Sequence, residues 1–388
     1  MPEILVSQLK AGKFYTKPVF LDDKYILFSP ETPISDEILS RLRDWKIDYV
    51  QTEGEPVEEM VITKEDDTDI LDELNDTQED TGISEVSLSA SQQYFLEGLN
   101  FLESIFSTYV KDNTLSVNMV TQHVKILIER VSKKQQYMLR ITEFQSDAHN
   151  YIVVHSVKTA IVAIAIGATM RMPAYRLIEL GTAALMHEIG MIKLPAAVYM
   201  SNKMLSPIEK KAIRAHTVLG YKLLKQNSFP MTVCLGVMEC RENADGSGYP
   251  RGLTSERISL YGKIINVASA YAALTSKRPF RGAFNGHSSI LDMLKRKDTV
   301  YDGGVLKVLI MLLSLYPLGT YVLLKNGARG MVVEANQGNY KAPKVQLLLD
   351  TEGGVEKDQK IITTEASVYE IVRPLSNEEI SKVKKLLG

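Results

Sequence analysis

From about Ser89 to Leu315 apolar residues recur at helical spacing, segment after segment, and this run constrains the fold more than any other feature of the chain. Tyr94-Phe95, Leu99, Leu102, Ile105 and Tyr109 lie along one stripe, and a second long helix is expected from about Ser116 to Phe144. After Asp147 comes a helix bearing His155, Val157, Ile161, Ile164 and Ile166. Its most apolar part, Val157 to Met170, reads as too short to span a bilayer. Pro173 opens the helix leading to His187, and Pro207 opens another that continues past His216 through Leu223-Leu224. Pro230 to about Arg241, with Cys234 and Cys240 on one helix, and Ile264 to Ser276 complete the series. The expected fold is mainly α, a helical bundle over 89–314 with no long strand inside 150–310.

The flanks differ. Residues 1–60 read as a small α+β unit: a hairpin within Phe14 to Phe28 broken at Asp22-Asp23, a helix capped by Ser35, and a strand at Ile47 to Val50. Between Thr63 and Glu85 ten acidic residues face only Lys64. Such self-repulsion makes 61–88 a solvated linker, in which Ile70, Leu71 and Leu74 could form a short partner-binding helix. The tail, 315–388, reads as a β-rich appendage: two alternating strands around Asn326-Gly327, strands at Val345 to Leu349 and Ile361-Ile362, and a closing helix from Asn377 to Leu387.

A formal net charge of −2 gives no basic face for a nucleic-acid polymer. The only cysteines are Cys234 and Cys240, so no disulfide framework is expected, which fits a reducing compartment. No basic n-region with a long apolar run opens the chain. A soluble, cytoplasmic protein without membrane contact is expected.

The candidate chemistry lies between His187 and Pro250. An amphipathic helix ends in His187-Glu188-Ile-Gly190, placing imidazole and carboxylate side by side, and both are good ligands for zinc, manganese or iron. His155, His216 and the loop Asp245-Gly-Ser-Gly-Tyr249-Pro250 sharpen the suggestion. His123, His149 and His287 read as structural.

The blocks His155-Ser-Val, His187-Glu-Ile-Gly, His216, Asp245-Gly-Ser-Gly-Tyr-Pro-Arg-Gly-Leu and Arg278-Pro-Phe-Arg281, in that order, resemble the HD-GYP family, bacterial phosphodiesterases of cyclic di-GMP. The resemblance covers roughly Tyr151 to Leu313, and the segment Tyr316-Pro-Leu-Gly-Thr after it looks like an extension many such proteins carry. It implies a helical bundle, two or three bridged divalent metals with iron or manganese foremost, and water-mediated attack on a phosphodiester. It assigns His155, His187, Glu188 and His216 to metal, His187 and Glu188 to catalysis, and Arg278, Arg281, Gly246, Gly248 and Tyr249 to the ligand.

The pattern is broken at particular positions. Glu188 stands where the family has aspartate, and its extra methylene moves the carboxylate oxygens by about 1.5 Å. Met191 replaces a phosphate-contacting lysine, Cys240-Arg241 replaces a pair of histidines, and Ser269 replaces an aspartate. Cysteine can still ligate a metal, so Cys240 stays a candidate, whereas arginine cannot. Ligand-holding residues are thus kept better than hydrolytic ones. Three functions follow: a cyclic di-GMP receptor with weak or lost hydrolysis, working with a divalent metal or without one; an active phosphodiesterase with a rearranged metal site; or an interaction scaffold. The N-terminal unit or acidic linker could dock a protein partner, and the long helices before the bundle could pair in a homodimer.

Overall fold

A computed structural model describes residues 2–57, 85–199, 206–276 and 286–387, apart from 18, 23–24, 29–32, 45–46, 134, 141–145, 147, 337 and 359. The acidic stretch expected as a linker falls largely outside these residues, as do Arg278 and Arg281.

The first unit is a four-stranded sheet in the order β1 (Glu3–Leu5), β5 (Tyr49–Gln51), β3 (Val19–Asp22), β4 (Tyr25–Phe28), with helix α1 (Asp36–Asp44). A small ladder of β2 (Phe14–Tyr15) with β6 (Pro56–Val57) accompanies it. Val19, Phe28, Leu39, Leu42 and Val50 form its core.

The bundle begins with α2 (Glu85–Asp112), so the helix starts inside the stretch read as linker. α3 (Val117–Lys133) follows, shorter than the helix expected from about Ser116, and among the described residues the single turn α4 (Gln135–Met138) comes after it. At the centre stands α5 (Tyr151–Thr169), started by Asn150, whose side chain accepts a hydrogen bond from the Ile152 amide at 3.0 Å. Every residue from Ile152 to Gly167 is buried. Each buried Val or Ile of this helix contributes about 1.5–3 kcal/mol to the bundle. It is longer than the apolar run suggested, long enough to cross a membrane by length and composition, but 89% of its apolar window lies inside the protein.

α6 (Ala174–Met186) packs on α5 and α3, and Gly181 makes the close approach possible: a Cβ there would sit 3.1 Å from the Ile164 Cδ1 of α5 and 2.7 Å from a Val124 methyl of α3. Next come a 3-10 turn (Ile189–Lys193), α7 (Ala196–Tyr199), α8 (Pro207–Arg214) and α9 (His216–Gln226). The single helix expected from Pro207 through Leu224 is therefore two, broken at Ala215, whose amide bonds the Ala212 carbonyl three residues back. α10 (Met231–Glu239), α11 (Leu260–Leu274), α12 (Gly286–Lys295) and α13 (Gly303–Leu313) complete the bundle. Cys240 lies one residue beyond α10.

The tail forms a five-stranded antiparallel sheet, β10 (Ile361–Thr363), β9 (Lys344–Leu349), β8 (Arg329–Glu334), β7 (Tyr321–Leu324), β11 (Ile371–Pro374), with α14 (Asn377–Leu387) against it. Its β7–β8 hairpin turns at Asn326-Gly327, where Gly327 has φ +92° and the Asn326 side chain accepts from the Ala328 amide.

Candidate functional site

The site forms where α5, the end of α6, the start of α9, the end of α10 and α11 converge. α6 ends at Met186, and the 3-10 turn after it brings Glu188 inward. Gly190 permits this, because a Cβ there would lie 1.9 Å from the His216 carbonyl oxygen. The His-Glu-Ile-Gly block is thus seated directly on the first turn of α9.

Glu188, only 4% exposed, is the hub. Its Oε1 lies 3.4 Å from His187 Nε2 and 3.7 Å from His155 Nε2, and its Oε2 lies 3.6 Å from His216 Nε2. His187 donates Nδ1–H to the Ala184 carbonyl and His216 donates Nδ1–H to the Ile213 carbonyl, both at 2.7 Å. Both imidazoles therefore turn an unprotonated Nε2 inward, and neither Nε2 has a hydrogen-bond partner. Burial holds the His216 pKa below its ordinary value, and the Arg241 charge adds to this, against the opposite pull of Glu188. Burial alone would raise the Glu188 carboxyl, but His216, Arg241 and His187 outweigh it and hold it well below the usual range. The hub is an ionised carboxylate, and beside it burial holds His216 toward its neutral form.

Arg241 completes the arrangement. Its Nη2 donates to Glu188 Oε1 at 2.5 Å and its Nη1 donates to Ser269 Oγ at 2.8 Å, while Ser269 Oγ also lies 3.3 Å from His155 Nε2. The guanidinium bridges the carboxylate after α6 and the serine on α11. A quarter of its side chain stays exposed (24%).

Do these residues fit a metal? One ligand atom each from His155, His187 and Glu188 lies within 4.8 Å of the others, and the bare inward nitrogens are what a divalent cation needs. One ion fits this group. The space between Glu188 and Ser269 is held by a guanidinium, which cannot ligate. Cys240 is buried beside this cluster but outside the donor group, and burial pushes its thiol up to about 12, far from thiolate.

In the glycine-rich loop, Gly246 N bonds Asn243 O, Ser247 N bonds Asp245 Oδ1, and Tyr249 N bonds Arg241 O. Gly248 is required instead by space, since a Cβ would sit 2.2 Å from the Asn243 amide nitrogen. The loop is a rigid mount for Tyr249. Glu242, buried, accepts from the amides of Arg251 (2.7 Å) and Leu253 (2.9 Å), and Glu239 accepts from the Ser259 amide (2.8 Å) and from the Arg251 side chain. Tyr249 then meets the His216 ring edge-on with centroids 6.3 Å apart, and Arg214 stacks on it with Cζ 5.4 Å from the ring centroid.

Two residues escaped the sequence reasoning. Glu242 follows Arg241, and only the fold reveals its amide partners. Lys158 is the one charged side chain of α5 and is fully buried, its sole signal being a lysine in an otherwise apolar run. The remaining histidines are held elsewhere: His123 stacks on Phe101, His149 bonds Ser146 and Asn100, and His287 donates to the Leu315 carbonyl.

Residues 115–305 match the family model for the HD domain. The chain is 32% identical over 234 residues to cyclic di-GMP phosphodiesterase PdeB of Borreliella burgdorferi, covering 60% of each chain. It is 26% identical over 260 residues to cyclic di-GMP phosphodiesterase PA4108 of Pseudomonas aeruginosa, covering 65% of this chain and 62% of that one. It thus spans about three fifths of the length of these relatives. A 3'3'-cGAMP-specific phosphodiesterase 3 of Vibrio cholerae is 29% identical over 43% of this chain and 36% of its own. Among solved structures, Bd1817, described as an HD-GYP-type protein of Bdellovibrio bacteriovorus, aligns over 79% of this chain and 97% of its own with a TM-score of 0.47 and 16% identity.

Proposed function

On the premise that this chain belongs to the HD domain family, we propose that it recognises cyclic di-GMP above Glu188 and hydrolyses it slowly or not at all. The observation that carries this reading is the Arg241 guanidinium, bonded to Glu188 at 2.5 Å and to Ser269 at 2.8 Å. It holds positive charge on the carboxylate around which the three imidazoles gather.

The chain's own groups divide the work as follows. Arg241 offers its N–H groups to a phosphate oxygen, a task suited to a fixed, permanently charged fork. Glu188 keeps that fork aligned, and Ser269 fixes its other arm. Tyr249, held by the Glu242 loop and stacked by Arg214, presents an aromatic edge at the rim. His155, His187 and Glu188, with His216 beside them, would hold one divalent ion, iron or manganese by family analogy. When bound there, such an ion supplies Lewis-acid charge neutralisation and lowers the pKa of water. Arg241 neutralises phosphate but acidifies no water, so ligand recognition outlasts hydrolysis.

A second reading, a one-ion phosphodiesterase, is favoured by the His155, His187 and Glu188 group itself. Calorimetric titration of the full chain with cyclic di-GMP and with 3'3'-cGAMP, beside turnover assays with manganese or ferrous iron, tests both. The receptor reading expects binding of cyclic di-GMP with turnover at least about a thousandfold below the ~10 per second median of enzymes. Turnover near that median establishes the phosphodiesterase instead, and absence of binding to both nucleotides leaves an interaction scaffold.

A further inference from the structure

Lys158 follows His155 by one turn of α5 and is 0% exposed. Its Nζ donates to Ser276 Oγ at 3.2 Å. Among the described residues no carboxylate pairs with it, and the sequence after Ser276, residues 277–285, contains no Asp or Glu. Burial pulls its pKa down to about 8, and no charge among the described residues offsets this. An uncompensated buried ammonium is expensive, and such groups concentrate where an anion arrives.

The position is informative. Arg241 bonds Ser269, and Lys158 bonds Ser276, seven residues further along the same segment. One cation–serine pair thus lies within α11 and the other just past its end, Ser276 standing two residues beyond Leu274. His155 and Lys158 run in the same direction on α5, contacting Ser269 and Ser276 in turn. A polar line leads from the Glu188 carboxylate to the end of α11 through an otherwise apolar interface.

We propose that Lys158 is a ligand-contacting residue, its ammonium meeting one phosphodiester of a bound cyclic dinucleotide while Arg241 meets the other. The inference rests on the reading above. Two separated cations suit a ligand with two phosphodiesters, and the flexible four-carbon stem of lysine lets Nζ turn from Ser276 without backbone movement. The alternative is structural: a cation placed at the negative end of α11.

The experiment separates these roles. Lys158→Met keeps the volume and removes the charge, and Ser276→Ala removes the hydroxyl and keeps the charge. Each is measured in the full chain for melting temperature and for cyclic di-GMP affinity by calorimetry. Expected are a melting temperature for Lys158→Met equal to or above wild type, an affinity at least about tenfold weaker, as for loss of a charge-assisted hydrogen bond, and near-wild-type affinity for Ser276→Ala. Unchanged affinity in a folded Lys158→Met overturns this inference and leaves the receptor reading intact. Equal losses of stability and affinity in both variants also overturn it, in favour of the structural role. Should Lys158→Met fail to fold, Lys158→Gln carries the same comparison. Wild type that binds no cyclic di-GMP overturns the receptor reading and this inference together.

Discussion

Replacing Arg241 by alanine tests the hub directly. The variant leaves Glu188, 4% exposed, as a buried carboxylate without its strongest partner. Breaking a buried pair by removing one partner costs about 3–5 kcal/mol. The Arg241 side chain is 24% exposed, so water screens part of the pair, and about 2–3 kcal/mol is the appropriate magnitude. At roughly 2–4 °C per kcal/mol for a domain of this size, the melting temperature at pH 7 should fall by roughly 4–12 °C, followed by far-UV circular dichroism with chelator present. The pH dependence has a definite sign. A carboxyl held well below its ordinary 4.5 stabilises the fold above that value and loses the contribution as pH falls through its depressed value. Arg241 is one cause of the depression, so the gap between wild type and variant should be full at pH 7 and narrow below about 4.5. Identical melting at pH 7, or a gap that widens on acidification, refutes the account of the hub.

Other consequences are as specific. Gly190→Ala places a Cβ 1.9 Å from the His216 carbonyl, so the 3-10 turn must separate from α9; a loss of about 1–3 kcal/mol, read by melting, should come with weaker ligand affinity. Glu242→Gln sets an amide NH2 against one of two backbone N–H donors, which should cost about 1.5–3 kcal/mol and loosen Tyr249, read as lowered melting and reduced affinity for cyclic di-GMP. Burial keeps His216 neutral, so the unfolded chain binds the extra proton; stability should fall as pH drops from 7 toward 5, and His216→Gln should flatten that slope in melting curves.

The bundle was legible because amphipathic and apolar periods mark helices wherever burial decides structure, as along α2 and α5. The order His155, His187-Glu188, His216 was legible as chemistry, and these side chains do meet around one carboxylate. What stayed hidden is long-range or steric. The break at Ala215 carries no local stop signal, yet it sets His216 at the head of α9, where Gly190 packs. The span of Arg241 from Glu188 to Ser269 joins residues 53 and 28 positions away, beyond any helical or strand period. A glycine-rich sequence likewise does not reveal that Asn243, Asp245 and Arg241 accept from the amides of Gly246, Ser247 and Tyr249. Lys158 violates the rule that lysines lie outside, and only the packed structure exposes the violation.

The central claim is that a guanidinium supplies the positive charge that ligand recognition requires at Glu188. The most direct measurement is the affinity of the full chain for cyclic di-GMP after exhaustive chelation, set beside the affinity of the same protein reloaded with manganese. The account predicts binding in both states, within about threefold of each other, a difference under 1 kcal/mol. Binding that vanishes on chelation and returns only with metal would contradict it.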